Sequence, residues 1–242
     1  MGTTGTTAMN TLDSFPERAR DELIYERVFD AILEQRLAPG TRLSEDKLGQ
    51  VFGVSRTIIR QVLQRLEHEG VVEIHRNRGA SVARTSADQT RQAFAARQVV
   101  ERAIVLSACE HLQPEAVQVL HAIIQAEQAA LQANDRGRAL RLSGELHLKL
   151  AELCGNEFLA HFARTMVSRC SLIIAQYEAH AHELCSIEEH TEIIHAIADK
   201  NSELAVRLMV EHIQHIEAKL VLSEAPANQD LAAIFAEELK IT

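Results

Sequence analysis

Residues Val54 to Gly70, VSRTIIRQVLQRLEHEG, constrain the fold more than any other stretch of the chain. Ile58, Ile59, Val62, Leu63 and Leu66 recur at helical spacing and predict one buried stripe. Ser55 stands just before the stripe, where its hydroxyl can cap the first free backbone N–H groups. Arg56, Thr57, Arg60 and Gln61 fall on the opposite side of the first turns. That face suits the DNA major groove, since arginine bonds guanine in bidentate fashion, glutamine reads adenine, and threonine reaches phosphate or a thymine methyl. Taken alone, the helix also fits a plain amphipathic element with a solvated polar side.

The flanking residues shift the balance. Leu48 to Phe52 reads as a short helical piece and Gly53 as the tight turn of a helix-turn-helix. Beyond Gly70, Val71 to Ile74 predicts a strand, His75 to Gly79 a turn, and Ala80 to Val82 a returning strand. The tip of this wing, Arg76, Asn77, Arg78 and Gly79, suits phosphate or minor-groove contact. Upstream, Leu23, Ile24, Val28, Ile32 and Leu33 predict a helix over 17–35 that Pro39-Gly40 stops. The expectation is a winged helix-turn-helix of three helices and a hairpin over residues 17–84, after a polar, threonine-rich segment 1–16 expected to be disordered.

A net charge of −9 at first argues against DNA, so its distribution matters. Residues 21–84 hold ten basic and ten acidic residues, whereas residues 85–242 hold thirteen basic and twenty-two acidic. Ser55 to Arg84 alone carries six arginines against three glutamates. Positive charge is thus confined to one helix and the wing, which favours one docked face over general nucleic-acid adhesion.

From Ala87 onward the pattern is helical, with spans near 87–111, 114–134, 136–154, 156–180, 187–199 and 202–223 and no strand signals. The fold class is therefore mainly α: a winged helix joined to an all-α bundle over 87–223, with Arg84-Thr85-Ser86 as linker. In the tail, 224–242, Leu231, Ile234, Phe235 and Leu239 sit at helical spacing and can dock as a last helix. A chain of 242 residues is long enough for two cores. No run approaches membrane-spanning length, the start lacks a basic-then-apolar signal, and Cys109, Cys154, Cys170 and Cys185 lack CxxC spacing. A cytoplasmic protein with reduced thiols and no membrane partner is expected.

Three stretches together, Leu37-Ala38-Pro39-Gly40-Thr41-Arg42-Leu43-Ser44-Glu45, Gly53 to Arg60, and Asn77-Arg78-Gly79, resemble the winged-helix domain of the GntR family of bacterial regulators. Ile58 stands where that family usually has proline, and Gln61 where glutamate is common. The helical second half is similar to the effector domain of the FadR subfamily. The resemblance covers about residues 17–223 and adds Arg42 to the expected DNA contacts. It implies a homodimer on a roughly palindromic, double-stranded operator, repressing until a small effector binds.

Among twelve histidines, three share an inward register. His147, His190 and His212 lie on separate helices, each flanked by apolar residues. Three imidazoles meeting in a core are hard to satisfy without a metal or an anionic ligand. In the resembling subfamily these positions hold a divalent metal, often zinc, and imidazole suits nickel as well. The family's acidic ligand one turn before the first histidine is here Ser143, so three histidines with open positions are expected. Glu145 points away from His147, and His215, one turn from His212, reads as a supporting or surface residue. Arg97 corresponds to an arginine facing the ligand cavity in the family, or else pairs with Glu101 one turn on; Gln176 and Tyr177 are further pocket candidates. Metal and arginine point to a carboxylate-bearing effector, and the stretches around Ser143 and Gln176 resemble subfamily members associated with purine and nitrogen catabolism. No enzyme is expected: a metal-dependent hydrolase would need a general base, and no HExxH motif supplies one. A regulator whose histidines merely staple the bundle is the remaining alternative.

Overall fold

The computed structural model describes residues 17–76, 79–177, 187–221 and 231–235. The segment 1–16, Asn77, Arg78, Cys185 and most of the tail lie outside the described residues. Helix α1 (Glu17–Leu33) is followed by β1 (Arg42–Leu43), α2 (Glu45–Phe52), α3 (Arg56–His68), β2 (Val72–His75) and β3 (Gly79–Val82). Ser44 caps α2 by accepting from the Lys47 backbone N–H, and Gly53 ends it in the left-handed region at φ 65°. The predicted stripe of α3 is buried in full and packs on α1, α2 and Leu43 in one core. Burial of five such aliphatic side chains contributes roughly 1.5–3 kcal/mol each before entropy is charged against it.

The hairpin is antiparallel, with Val72 opposite Val82 and His75 opposite Gly79. Sequence reasoning missed β1, which pairs with β3 to give the sheet order β1-β3-β2. Two residues are too few to show a period of two. Helix α2 also begins earlier than the apolar pattern implied, because its first turn is polar and is set by its cap.

The bundle comprises α4 (Ala87–His111), α5 (Pro114–Gln132), α6 (Arg136–Leu153), α7 (Glu157–Tyr177), α8 (Ile187–Ala198) and α9 (Ser202–Ala218). Ser86 and Gln89 form a capping box on α4, while Asp135 and Asn201 cap α6 and α9. Helix α9 stops five residues short of the expected 223. Neighbours pack α5 on α6, α6 on α7, α4 on α7 and α9, and α8 on α5 and α9. Helix α7 is long and apolar enough to cross a membrane, yet Cys170, Leu172, Ile173, Ile174 and Ala175 are all buried against other parts of the protein.

The boundary near residue 85 is not a loose hinge. Helix α1 packs on α6 and α7 as well as on α3. Leu172 of α7 joins the winged-helix core. Helix α10 (Leu231–Phe235) returns from the tail to pack on α2, with the Phe235 and Phe52 rings 5.1 Å apart and Phe235 fully buried. Arg36 Nη1 donates to the Ile234 carbonyl at 3.2 Å. The seat of Leu231–Phe235 is the winged helix.

Candidate DNA-binding face and histidine cage

Ser55 opens α3 as an N-cap, accepting from the Ile58 backbone N–H at 3.4 Å. With the apolar side of α3 buried, Arg56, Thr57, Arg60 and Gln61 are all exposed on its N-terminal face. Both arginines turn back onto the first turn of α2. Arg60 holds Glu45 with two bonds, Nε to Oε1 at 3.0 Å and Nη2 to Oε2 at 2.8 Å, and Arg56 pairs with Asp46. Hydrogen bonding by Arg60 lowers the Glu45 pKa. Arg42, on β1, and Arg76, after β2, are exposed. Gly79 begins β3 at φ 80°, and a Cβ there would meet nothing, so backbone conformation rather than space calls for glycine. Asn77 and Arg78, the other two wing residues named from sequence, lie outside the described residues.

The second cluster is in the bundle core. His147 on α6, His190 on α8 and His212 on α9 are buried, and one ligand-capable atom of each lies within 4.8 Å of the others. His190 Nε2 and His212 Nε2 stand 3.3 Å apart. The rings of His147 and His212 stack at 5.3 Å and 21°. Each Nδ1 faces a carboxylate: Glu101 for His147, Glu127 at 2.9 Å for His190, and Glu189 at 2.7 Å for His212. A carboxylate opposite Nδ1 assigns the proton there and turns the Nε2 lone pair toward the middle. His147 Nε2 is buried with no hydrogen-bond partner.

Electrostatics keep His147 neutral. Burial pushes the His147 imidazolium pKa down to about 3, overriding the attraction of Glu101. Burial also opposes ionisation of Glu101, but His147 and Arg97 together outweigh it and hold its carboxyl well below the usual range. Arg97 supplies the balancing charge, with Nε donating to Glu101 Oε1 at 2.5 Å. The hydrogen bond from His212, against the opposing effect of burial, holds Glu189 at about 2, and Glu189 Oε1 also meets the exposed His215 at 2.8 Å.

Nε2 lone pairs aimed at one point repel unless a proton or a cation sits among them. Nitrogens at about 2.0–2.1 Å from a tetrahedral ion are roughly 3.3–3.4 Å apart, which matches the one Nε2–Nε2 distance. The residues present therefore fit a divalent ion. Ser143 is buried on α6 one turn before His147, and among the described residues no carboxylate joins the three-histidine group. The space beside His147 and His190, closed by Leu146, Ile193, Ile194 and Met209, is about 10 Å³. That is room for one water or ion and no more.

The remaining predicted pocket residues are engaged elsewhere. Arg97 is only 2 % exposed and committed to Glu101, so it orients His147 through that carboxylate. Gln176 Nε2 donates to the Ala83 carbonyl at 3.0 Å, and the Tyr177 hydroxyl to the Thr85 carbonyl at 2.9 Å. Both tie the end of α7 to the interdomain linker rather than lining the cage. Sequence reading missed Glu127 and Glu189. For Glu127 a signal existed, a lone carboxylate within the apolar run Ala122-Ile123-Ile124-Gln125-Ala126-Glu127.

A winged helix with an exposed arginine-bearing face, joined to a helical bundle, defines a DNA-binding protein with a separate sensing or assembly domain. Residues 21–82 match the family "Bacterial regulatory proteins, gntR family", and residues 92–215 match "FCD domain". The chain belongs to the GntR family of bacterial transcription regulators, in the FCD-bearing arrangement expected of the FadR subfamily. It is 26 % identical over 222 residues to the HTH-type transcriptional repressor NanR of Klebsiella aerogenes, covering 81 % of this chain and 84 % of that protein. It is 28 % identical over 178 residues to the Nta operon transcriptional regulator of Aminobacter aminovorans, covering 73 % and 82 %. Among solved structures, E. coli McbR/YncC superposes with a TM-score of 0.71 at 19 % identity, over 82 % of this chain and 95 % of that one, which shows the shared fold. These relatives are regulators, and the hydrolase alternative falls with them.

Proposed function

We propose that this protein is a homodimeric, cytoplasmic repressor that holds one divalent metal ion, zinc before nickel, on His147, His190 and His212. A small carboxylate-bearing or purine-related metabolite beside that ion controls its grip on a roughly palindromic operator. The observation that carries the metal is the unpartnered, buried Nε2 of His147 in a cage whose Nδ1 atoms all face carboxylates. When bound, the ion supplies a fixed positive charge that an effector oxygen can meet. The chain's own residues do the rest: Glu101, Glu127 and Glu189 orient the imidazoles, and Arg97 keeps Glu101 ionised.

Transmission follows from the packing. An effector larger than one water has to part α6, α8 and α9 to enter the space beside His147 and His190, which is about 10 Å³. Helix α6 packs on α7, whose Gln176 and Tyr177 hold the linker and whose Ser168 donates to Glu69 at the end of α3 at 3.0 Å. Movement of α6 and α7 is therefore felt at the winged helix. The small cage also favours a second reading, in which the ion is a structural staple and no effector reaches it.

The deciding experiment combines metal analysis of the purified protein with calorimetric titration of organic acids and purine-breakdown acids, before and after chelation. About one metal ion per chain and an acid that binds only the loaded protein are expected. An apo protein that retains full operator affinity and takes no added zinc overturns the metal. A loaded protein that binds none of the acids leaves the staple reading.

A further inference from the structure

We propose that the cleft between the winged helix and the bundle is a second small-molecule site, shaped for a monocyclic aromatic carboxylate. It shares no lining residue with the histidine cage and goes beyond the metal-linked effector proposed above. Its volume is about 210 Å³, and its walls come from α1, α3, α6 and α7. That is below the roughly 300 Å³ at which drug-sized pockets begin, so the occupant is a single ring with one substituent.

The chemistry of the walls selects the ligand. On the α1 side Tyr25 and Phe29 stack, with centroids 5.7 Å apart and planes at 15°. Leu33, Leu148 and Val167 continue the apolar lining. At the back, α6 and α7 come close at Gly144: a Cβ there would stand 3.2 Å from Ser171 Oγ and 3.3 Å from Val167 Cγ1. Two arginines face the aromatic pair from the bundle side. Arg141 meets Asp30 through Nε at 3.2 Å, and Arg164 meets Glu152 at 3.5 Å. A guanidinium has five N–H donors in a planar fork, so both retain donors for a carboxylate. Arg65, by contrast, is held by Glu22 at 2.6 and 3.2 Å and lies over the Tyr25 ring at 3.6 Å. Glu26 and Glu145 also border the cleft and are exposed to water. They make an aromatic amine the competing occupant.

The test is ligand-observed NMR on the full-length protein with benzoate as probe and benzylamine as comparator. Benzoate is expected to receive saturation from the protein, with a dissociation constant on the order of millimolar, and benzylamine is not. Leu148→Trp, which fills the cleft from a half-buried position, should abolish the signal. Arg164→Gln, at a partly solvated side chain that leaves folding intact, should weaken binding about tenfold, the loss of one charge-assisted contact. Chelation should leave benzoate binding unchanged, whatever becomes of the metal proposal. The site is overturned if benzoate does not bind, if benzylamine binds as well, if binding survives Arg164→Gln undiminished, or if it vanishes with the metal.

Discussion

The recognition face and the histidine cage are both built from cationic or imidazole groups set against carboxylates, but at opposite ends of the burial scale. Arg60 is more than half exposed and pairs with Glu45 in solvent. His190 and Glu127 are completely buried. An exposed ion pair is worth about 0–1 kcal/mol and can be exchanged for a phosphate or a guanine at little cost. A buried pair has no such freedom, because removing one partner leaves the other desolvated and unmatched. The pairing on α3 is thus one that an incoming phosphate or base could replace, whereas the pairing in the cage has no solvent to exchange with and fixes which nitrogen faces the centre.

Breaking each side separately should separate their effects. Arg56→Ala and Arg60→Ala are each expected to weaken operator binding by about 1–3 kcal/mol, the worth of a bidentate base contact, while metal content stays constant. Gel-shift titration at fixed salt measures this, and unchanged affinity in both variants removes α3 from the DNA contact. Glu127→Gln should do the reverse. The amide can still accept from His190 Nδ1, but without the charge that makes the imidazole a better donor to a metal. A loss of about 10–100-fold in zinc affinity is expected from a competition titration with a chelating dye, with operator affinity retained at saturating zinc. Equal zinc affinity would mean that the carboxylate only fills space.

The same contrast explains what could be read from the sequence. The stripe of α3 and its polar face follow from spacing alone, as do the inward registers of His147, His190 and His212, because each rests on residues within one helix. Glu101 could be matched with Arg97 one turn away, but its second oxygen meets His147 only when α4 packs on α6. Gln176 and Tyr177 read as pocket candidates because they are polar residues in an apolar helix. Their partners are backbone carbonyls of Ala83 and Thr85, more than ninety positions earlier, and no local pattern announces them. The periodicity of Leu231 and Phe235 likewise gave a helix without its seat, which is Phe52 and the winged-helix core.

Asp30 lies at the seam between the two regions, on α1 opposite Arg141 of α6, and gives the smallest effect. Burial raises its carboxyl from the ordinary 3.8 to about 6, more than Arg141 can offset. A folded-state pKa above the unfolded value means that the folded protein binds this proton more tightly. Its contribution is therefore fully present below about 3.8 and is lost as pH rises through 6. The neutral amide introduced by Asp30→Asn mimics the protonated side chain at every pH. That substitution should then stabilise the protein at pH 8, on the order of 1 kcal/mol once partial exposure is discounted, or about 3 °C in the melting midpoint. The advantage should shrink between pH 7 and pH 5 and be nearly gone at pH 4. Paired melting curves at pH 8 and pH 5 measure it. A variant less stable than the parent at pH 8 would show instead that the ion pair with Arg141 outweighs desolvation, and that the seam between the domains is held by charge.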